Sequence, residues 1–169
     1  MDHGFVQASS DYSKIRLSHY DDGCYVILTL ETFDEDEMDK KLIKVDELAQ
    51  AHGAVEVSLA DDRVWTIRKN CLEATRILSR VSTSDDFVFP LDKISDAIMD
   101  LSELAATYPF RVFTLAHAGD GNLHFNILKG ELSDEAWEET LSSFHERPMP
   151  MSMPMTAFFP VNMELGQRK

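Results

Sequence analysis

Apolar positions along the chain alternate between two periods. Residues 25–30, YVILTL, form a continuous β-branched and apolar run, which predicts a buried strand. Asp34 with Glu37 makes a capping-box pattern. Met38, Leu42, Val45, Leu48 and Ala49 follow at three- and four-residue spacing, the stripe of an amphipathic helix. His52 stands in the last turn of that helix and Gly53 closes it. Val55 to Ser58 predicts a short strand. A second helix is expected from about residue 61 to 80, with Val64, Ile67, Cys71, Ala74 and Leu78 on its core face. Phe87 to Phe89 is a short extended piece stopped by Pro90. A third helix starts near Asp92, buries Ile94, Ile98, Leu101, Leu104 and Ala105, and ends at Pro109. Residues 111–117 and 123–128 predict two strands around a Gly-Asp-Gly-Asn turn, and Ser133 caps a last helix through about Phe144.

The resulting order, β-α-β-α-β-α-β-β-α, predicts an α+β fold: a mainly antiparallel sheet with helices on one face. Residues 1–23 carry little pattern and are expected to be a ragged N-terminal remnant. The domain itself is expected over 24–145, followed by an irregular tail over 146–169. That tail places Met149, Met151, Met153 and Met155 in alternation with Pro and Ser. Pro148, Pro150 and Pro154 disfavour regular structure there, and a strand containing proline is confined to a sheet edge.

Composition narrows the function classes. Thirty acidic against sixteen basic residues give a formal net charge of −14, which argues against nucleic acid or an anionic membrane surface as partner. A small anionic substrate is compatible, because one buried Arg overrides the global field locally. Cys24 and Cys71 match no disulfide framework or zinc pattern, and Cys71 falls on an apolar helix stripe. No apolar run is long enough to cross a bilayer, and the N-terminus lacks the basic and apolar regions of a signal peptide. These features predict a cytoplasmic protein.

Two sequence features carry chemistry. In HAGDGNLHFN, residues 117–126, Asp120-Gly121 is a favoured centre for a two-residue hairpin turn. Such a turn sets His117 directly opposite His124, with Cβ atoms about 5 Å apart on one face. Asn126 shares that face. From spacing alone the pair reads either as two ordinary histidines or as two ligands of one cation, with a third ligand required from elsewhere. In VWTIRKN, residues 64–70, Trp65 and Arg68 are i,i+3 neighbours. They read either as a half-buried aromatic beside a solvated Arg, or as a guanidinium fork suited to a carboxylate.

These blocks, together with DDFVFPLDKI at residues 85–94, resemble the C-terminal domain of FAD-linked oxidases in order and spacing, over roughly residues 24–145. D-lactate dehydrogenase, the glycolate oxidase D subunit and D-2-hydroxyglutarate dehydrogenase belong to that family. The resemblance implies a ferredoxin-like cap domain that holds a small 2-hydroxy acid against FAD bound by a separate N-terminal domain. Its chemistry is hydride transfer from the substrate α-carbon to the flavin. It implies that Arg68 and Asn126 contact substrate, and that His117 and His124 bind a divalent metal such as Zn or Mn. No catalytic base is assigned, because the family's glycine-rich SGEHGIG block, carrying a third ligand and the base, is absent from residues 146–169 as written. A reading frame displaced by one nucleotide near residues 145–148 permits that block. The sequence therefore predicts the substrate side of a flavin-dependent 2-hydroxyacid dehydrogenase, inactive alone and needing a separate FAD-bearing polypeptide. The alternative is a stand-alone α+β module that binds a small anion or metal, or docks on an FAD subunit.

Overall fold

In a computed structural model of the chain, the residues described are 1–21 and 23–147, with the backbone of Phe158–Asn162. Five helices, α1 (His3–Ser13), α2 (Glu35–Ala51), α3 (Asp62–Leu78), α4 (Ile94–Ala105) and α5 (Asp134–Glu146), accompany four strands. The strands are β1 (Ser82–Val88), β2 (Arg111–His117), β3 (Asn122–Leu128) and β4 (Phe158–Asn162). They form one antiparallel sheet in the order β2-β3-β1-β4. The α+β class and the antiparallel sheet agree with the pattern of the sequence.

The helices, however, are shared between both faces of the sheet rather than gathered on one. Alternation along β3 explains why. Leu123, Phe125 and Ile127 face one way and are almost wholly buried. They meet Ile94, Ala97, Leu101 and Ala105 of α4 and Trp137 and Phe144 of α5. Leu128 and its neighbours Phe113 and Leu115 on β2 face the other way, against Phe5 and Ala8 of α1 and Cys71 and Ala74 of α3. A central strand that is apolar on both faces needs a cover on each.

The caps follow from composition. Asp34 accepts from the Glu37 amide at 3.0 Å, Asp61 from the Arg63 amide at 2.9 Å, and Ser133 from the Ala136 amide at 3.2 Å. Gly53, just past α2, has φ +81° as a C′ glycine should.

Three expectations need correction. Residues 3–13 are a helix, not a pattern-free remnant: Phe5 and Val6 are completely buried, and Asp2 accepts from the Phe5 amide at 2.9 Å as the N-cap. Asp2 also binds the edge strand β2, donating its N–H to the Thr114 carbonyl at 3.0 Å and accepting the Thr114 N–H on its carboxylate. Secondly, residues 25–30 lie outside any helix or strand. Val26 is 83 % exposed and Leu28 61 %. Thirdly, residues 55–58 behave likewise, and α2 between the two segments buries no residue. An apolar run fixes what a segment would bury; it does not fix which partner covers it.

Of the tail, Phe158–Asn162 lies as an edge strand beside β1, with Pro160 opposite Asp85. The alternating methionines and the displaced-frame block otherwise lie outside the described residues. No helix among the described residues is long and apolar enough to cross a membrane.

Candidate functional site

The site is built on the α1/α3 face of the hairpin β2–β3. Its loop has four residues rather than two. The Asp120 N–H bonds the His117 carbonyl at 3.2 Å, and the Asp120 side chain accepts the Asn122 N–H at 3.1 Å. Gly121 follows with φ +81°, and its carbonyl accepts the Phe89 N–H at 2.9 Å. An added Cβ there would stand 2.1 Å from the Phe89 carbonyl oxygen, so the close approach itself demands glycine.

This loop moves the register by two residues from the expected one. His117 lies opposite Asn122, and His124 opposite Leu115. The shift is even in the pairing sum, so the period-2 rule keeps both imidazoles on one face. They meet diagonally, with ring centroids 5.5 Å apart and planes at 85°.

Arg68 arrives from α3. Ile67 and Cys71 anchor that helix in the core, which turns Arg68 toward the hairpin. Its guanidinium nitrogen stands 3.3 Å from Nε2 of His117, bridging 49 residues of sequence. Arg has no acceptor, so His117 receives this bond on a neutral Nε2 lone pair. Burial pushes the neighbouring Cys71 thiol above its ordinary pKa, against the opposing pull of Arg68. Cys71 is therefore a packing group here rather than a nucleophile.

His124 is held from the other side. Asp86 on β1 pairs with it directly across the β1–β3 ladder, and their Nδ1 and Oδ1 atoms are 2.6 Å apart. Asp86 was not among the residues singled out from sequence. The β1–β3 register that brings it there joins segments 38 residues apart, and the only advance signal was its place inside the DDFVFP block.

Asn126 shares the face of His124 but is 5 % exposed, and its Nδ2 donor finds no partner among the described residues. Trp65, three residues before Arg68, is 41 % exposed. The structure therefore brings Arg68, His117, His124 and Asp86 into one connected line. Asn126 lies deeper, with an unused donor.

The cation reading does not fit this arrangement. Among the described residues no group of three His, Cys, Asp or Glu side chains could hold a metal ion. His117 spends its Nε2 lone pair on Arg68, whose fixed positive charge would stand within hydrogen-bond distance of any ion bound there. Among the described residues the two imidazoles on one face remain one ligand short of a protein-bound zinc site. α1, α2 and α3 begin at Asp2, Asp34 and Asp61, whose carboxylates accept from the first amides of each helix, so these three helix ends are closed to a pyrophosphate. What the line of residues offers is a guanidinium, two imidazoles and a buried amide donor, a set suited to a small carboxylate that also carries a hydroxyl.

The chain is similar to several curated proteins. The chain is 26 % identical over 130 residues to D-lactate dehydrogenase of Anaerostipes hadrus, an overlap of 74 % of this chain and 27 % of that protein. It is 29 % identical over 134 residues to D-lactate dehydrogenase of Archaeoglobus fulgidus, covering 76 % of the chain and 28 % of the relative. It is also 28 % identical over 133 residues to the glycolate oxidase subunit GlcD of Escherichia coli strain K12, covering 76 % and 26 %. The chain thus spans about a quarter of the length of these curated relatives. The model of the C-terminal domain of FAD linked oxidases matches residues 1–154, nearly the whole described structure, and the chain belongs to that family.

Proposed function

We propose that this chain is the substrate side of a flavin-dependent enzyme that oxidises a small 2-hydroxy acid, with the flavin held by residues other than those described. The observation that supports this reading is the 3.3 Å approach of Arg68 to His117, which sets a permanent cation beside two imidazoles on one sheet face. A guanidinium engages a carboxylate through two parallel N–H bonds. Of the two imidazoles, His117 already accepts from Arg68, and His124 is the one that offers a lone pair to an α-hydroxyl. D-lactate and glycolate, for which the relatives are named, carry both groups on adjacent carbons, which supports the same substrate class. With the first amides of α1, α2 and α3 taken by aspartates, the flavin is assigned in this reading to a separate FAD-bearing domain or polypeptide.

NMR titration of the isotope-labelled chain with D-lactate and with acetate tests the reading. D-lactate is expected to shift the side-chain resonances of Arg68 and His117, and acetate to bind more weakly for want of the hydroxyl. Arg68→Ala is expected to weaken D-lactate binding by about tenfold or more, the scale of one charge-assisted hydrogen bond. Equal binding of lactate to wild type and to Arg68→Ala would place the anion elsewhere.

A further inference from the structure

We propose that Asp86 is the positioning residue of this site, fixing His124 in the tautomer that carries its proton on Nδ1 and presents a lone pair on Nε2. The inference rests on the proposed reading only for the use made of that lone pair. The geometry stands independently of it.

Three observations carry the proposal. Asp86 Oδ1 and His124 Nδ1 are 2.6 Å apart, the separation of a strong, charge-assisted bond. The two residues are directly opposed in the β1–β3 register, so the backbone ladder itself holds the carboxylate against the ring. Both side chains are partly covered, at 26 % exposure for His124 and 34 % for Asp86, which limits competition from water. An ionised carboxylate only accepts, so the imidazole nitrogen facing it must donate. In a neutral ring the other nitrogen is then the acceptor.

The two histidines thereby acquire opposite assignments. His117 accepts on Nε2, from Arg68. His124 donates on Nδ1, to Asp86. Arg68 holds the anion's charge, and His124 keeps a lone pair free on the shared face for a hydrogen-bond donor such as the α-hydroxyl. A chain of donors and acceptors is thus set in one direction along the face, from Arg68 through His117 and, across the gap between the rings, to the His124–Asp86 pair. Rotation of the His124 ring would break the bond to Asp86, so the plane of the ring is fixed as well as its proton.

Long-range nitrogen–proton correlation NMR on the labelled full chain tests the assignment without flavin or substrate. At a pH where His124 is neutral, the wild type is expected to show a pyrrole-type Nδ1 and a pyridine-type Nε2 at His124. Asp86→Asn is close to isosteric, and its amide can turn an N–H toward the ring. That variant is expected to shift His124 to a majority of the Nε2–H form, while leaving His117 unchanged. Asp86→Glu is expected to restore the Nδ1–H form, which a purely structural role for Asp86 would not produce. A wild-type His124 protonated on Nε2 overturns the proposal without recourse to any variant. So does an unchanged tautomer in a folded Asp86→Asn protein. The readout does not involve lactate, so a chain that binds no 2-hydroxy acid but shows the expected tautomers refutes the functional reading and leaves Asp86 in its role.

Discussion

Gly121→Ala is expected to be the most damaging single methyl that can be added to the hairpin, and its cost can be assembled from the structure. Two terms contribute. Gly121 has φ +81°, where an L-residue pays about 1–2 kcal/mol for the left-handed conformation. Its new Cβ would also lie 2.1 Å from the Phe89 carbonyl oxygen, a backbone atom that cannot swing aside as a side chain can. Relief requires the β1 end to move away, which loses the 2.9 Å bond from the Phe89 N–H to the Gly121 carbonyl. That adds about 1 kcal/mol, for a total of about 2–3 kcal/mol. Two neighbouring glycines separate the terms. Gly130 has φ +57° but open space around it, so Gly130→Ala should show the conformational term alone, about 1 kcal/mol. Gly119 has open space and is not among the positive-φ glycines, so Gly119→Ala should lie within about 0.5 kcal/mol of wild type. Equilibrium urea unfolding followed by the fluorescence of buried Trp137 measures all three at constant slope. A Gly121→Ala protein no less stable than Gly130→Ala would refute the close-approach argument.

Three further outcomes follow from the same contacts. His145→Ala strands the fully buried Asp85 carboxylate, which His145 Nε2 now meets at 2.9 Å, and should cost about 3 kcal/mol in the same urea assay; a loss under about 1 kcal/mol contradicts the pairing. Burial pushes the Asp2 carboxyl above its ordinary value, so its native form keeps the proton to higher pH than the unfolded chain does. The stability this contributes is complete below the ordinary aspartate range and is lost as pH rises through the raised value, so the advantage of wild type over Asp2→Asn should shrink as pH rises from the ordinary aspartate range. An advantage that widens over that range refutes the burial argument. Finally, Cys24 is exposed while Cys71 is buried with a raised thiol pKa, so an aromatic disulfide reagent should consume one thiol quickly and the second only as the α1–α3 layer opens. Equal rates would mean that α1 does not cover α3.

Much of the fold was legible because local rules and tertiary contacts agree over residues 61–80 and 92–146; of β1 only the end, Phe87 and Val88, was read as extended. The Asp61 and Ser133 caps, the Ile67–Cys71–Ala74 stripe and both hairpin strands lie where the pattern put them. α1 was not legible. Its buried face mixes Phe5 and Val6 with Ser9 and Ser10, which weakens the apolar stripe that would announce a helix. Residues 25–30 show the opposite failure: a strong strand pattern with no strand beside it among the described residues. At the site, the common face of His117 and His124 followed from the period of two, but the turn length did not. Asp120 uses its side chain on Asn122, which stabilises a four-residue loop over the two-residue turn that Asp-Gly favours. Asp86 was invisible because only the β1–β3 register brings it to His124, and register is a long-range property.

The contact between Asp2 and Thr114 has a consequence for how the molecule behaves among its own copies. β2 is one edge of the sheet, and its outward N–H and C=O groups are a template for any extended chain. Asp2 takes both groups of Thr114, near the middle of that edge, with its own amide and its carboxylate. An incoming strand would have to displace a buried helix cap to continue the ladder past that point. The residue that starts the first helix thus also acts as a gatekeeper, keeping one side of the sheet closed to strand addition and self-association.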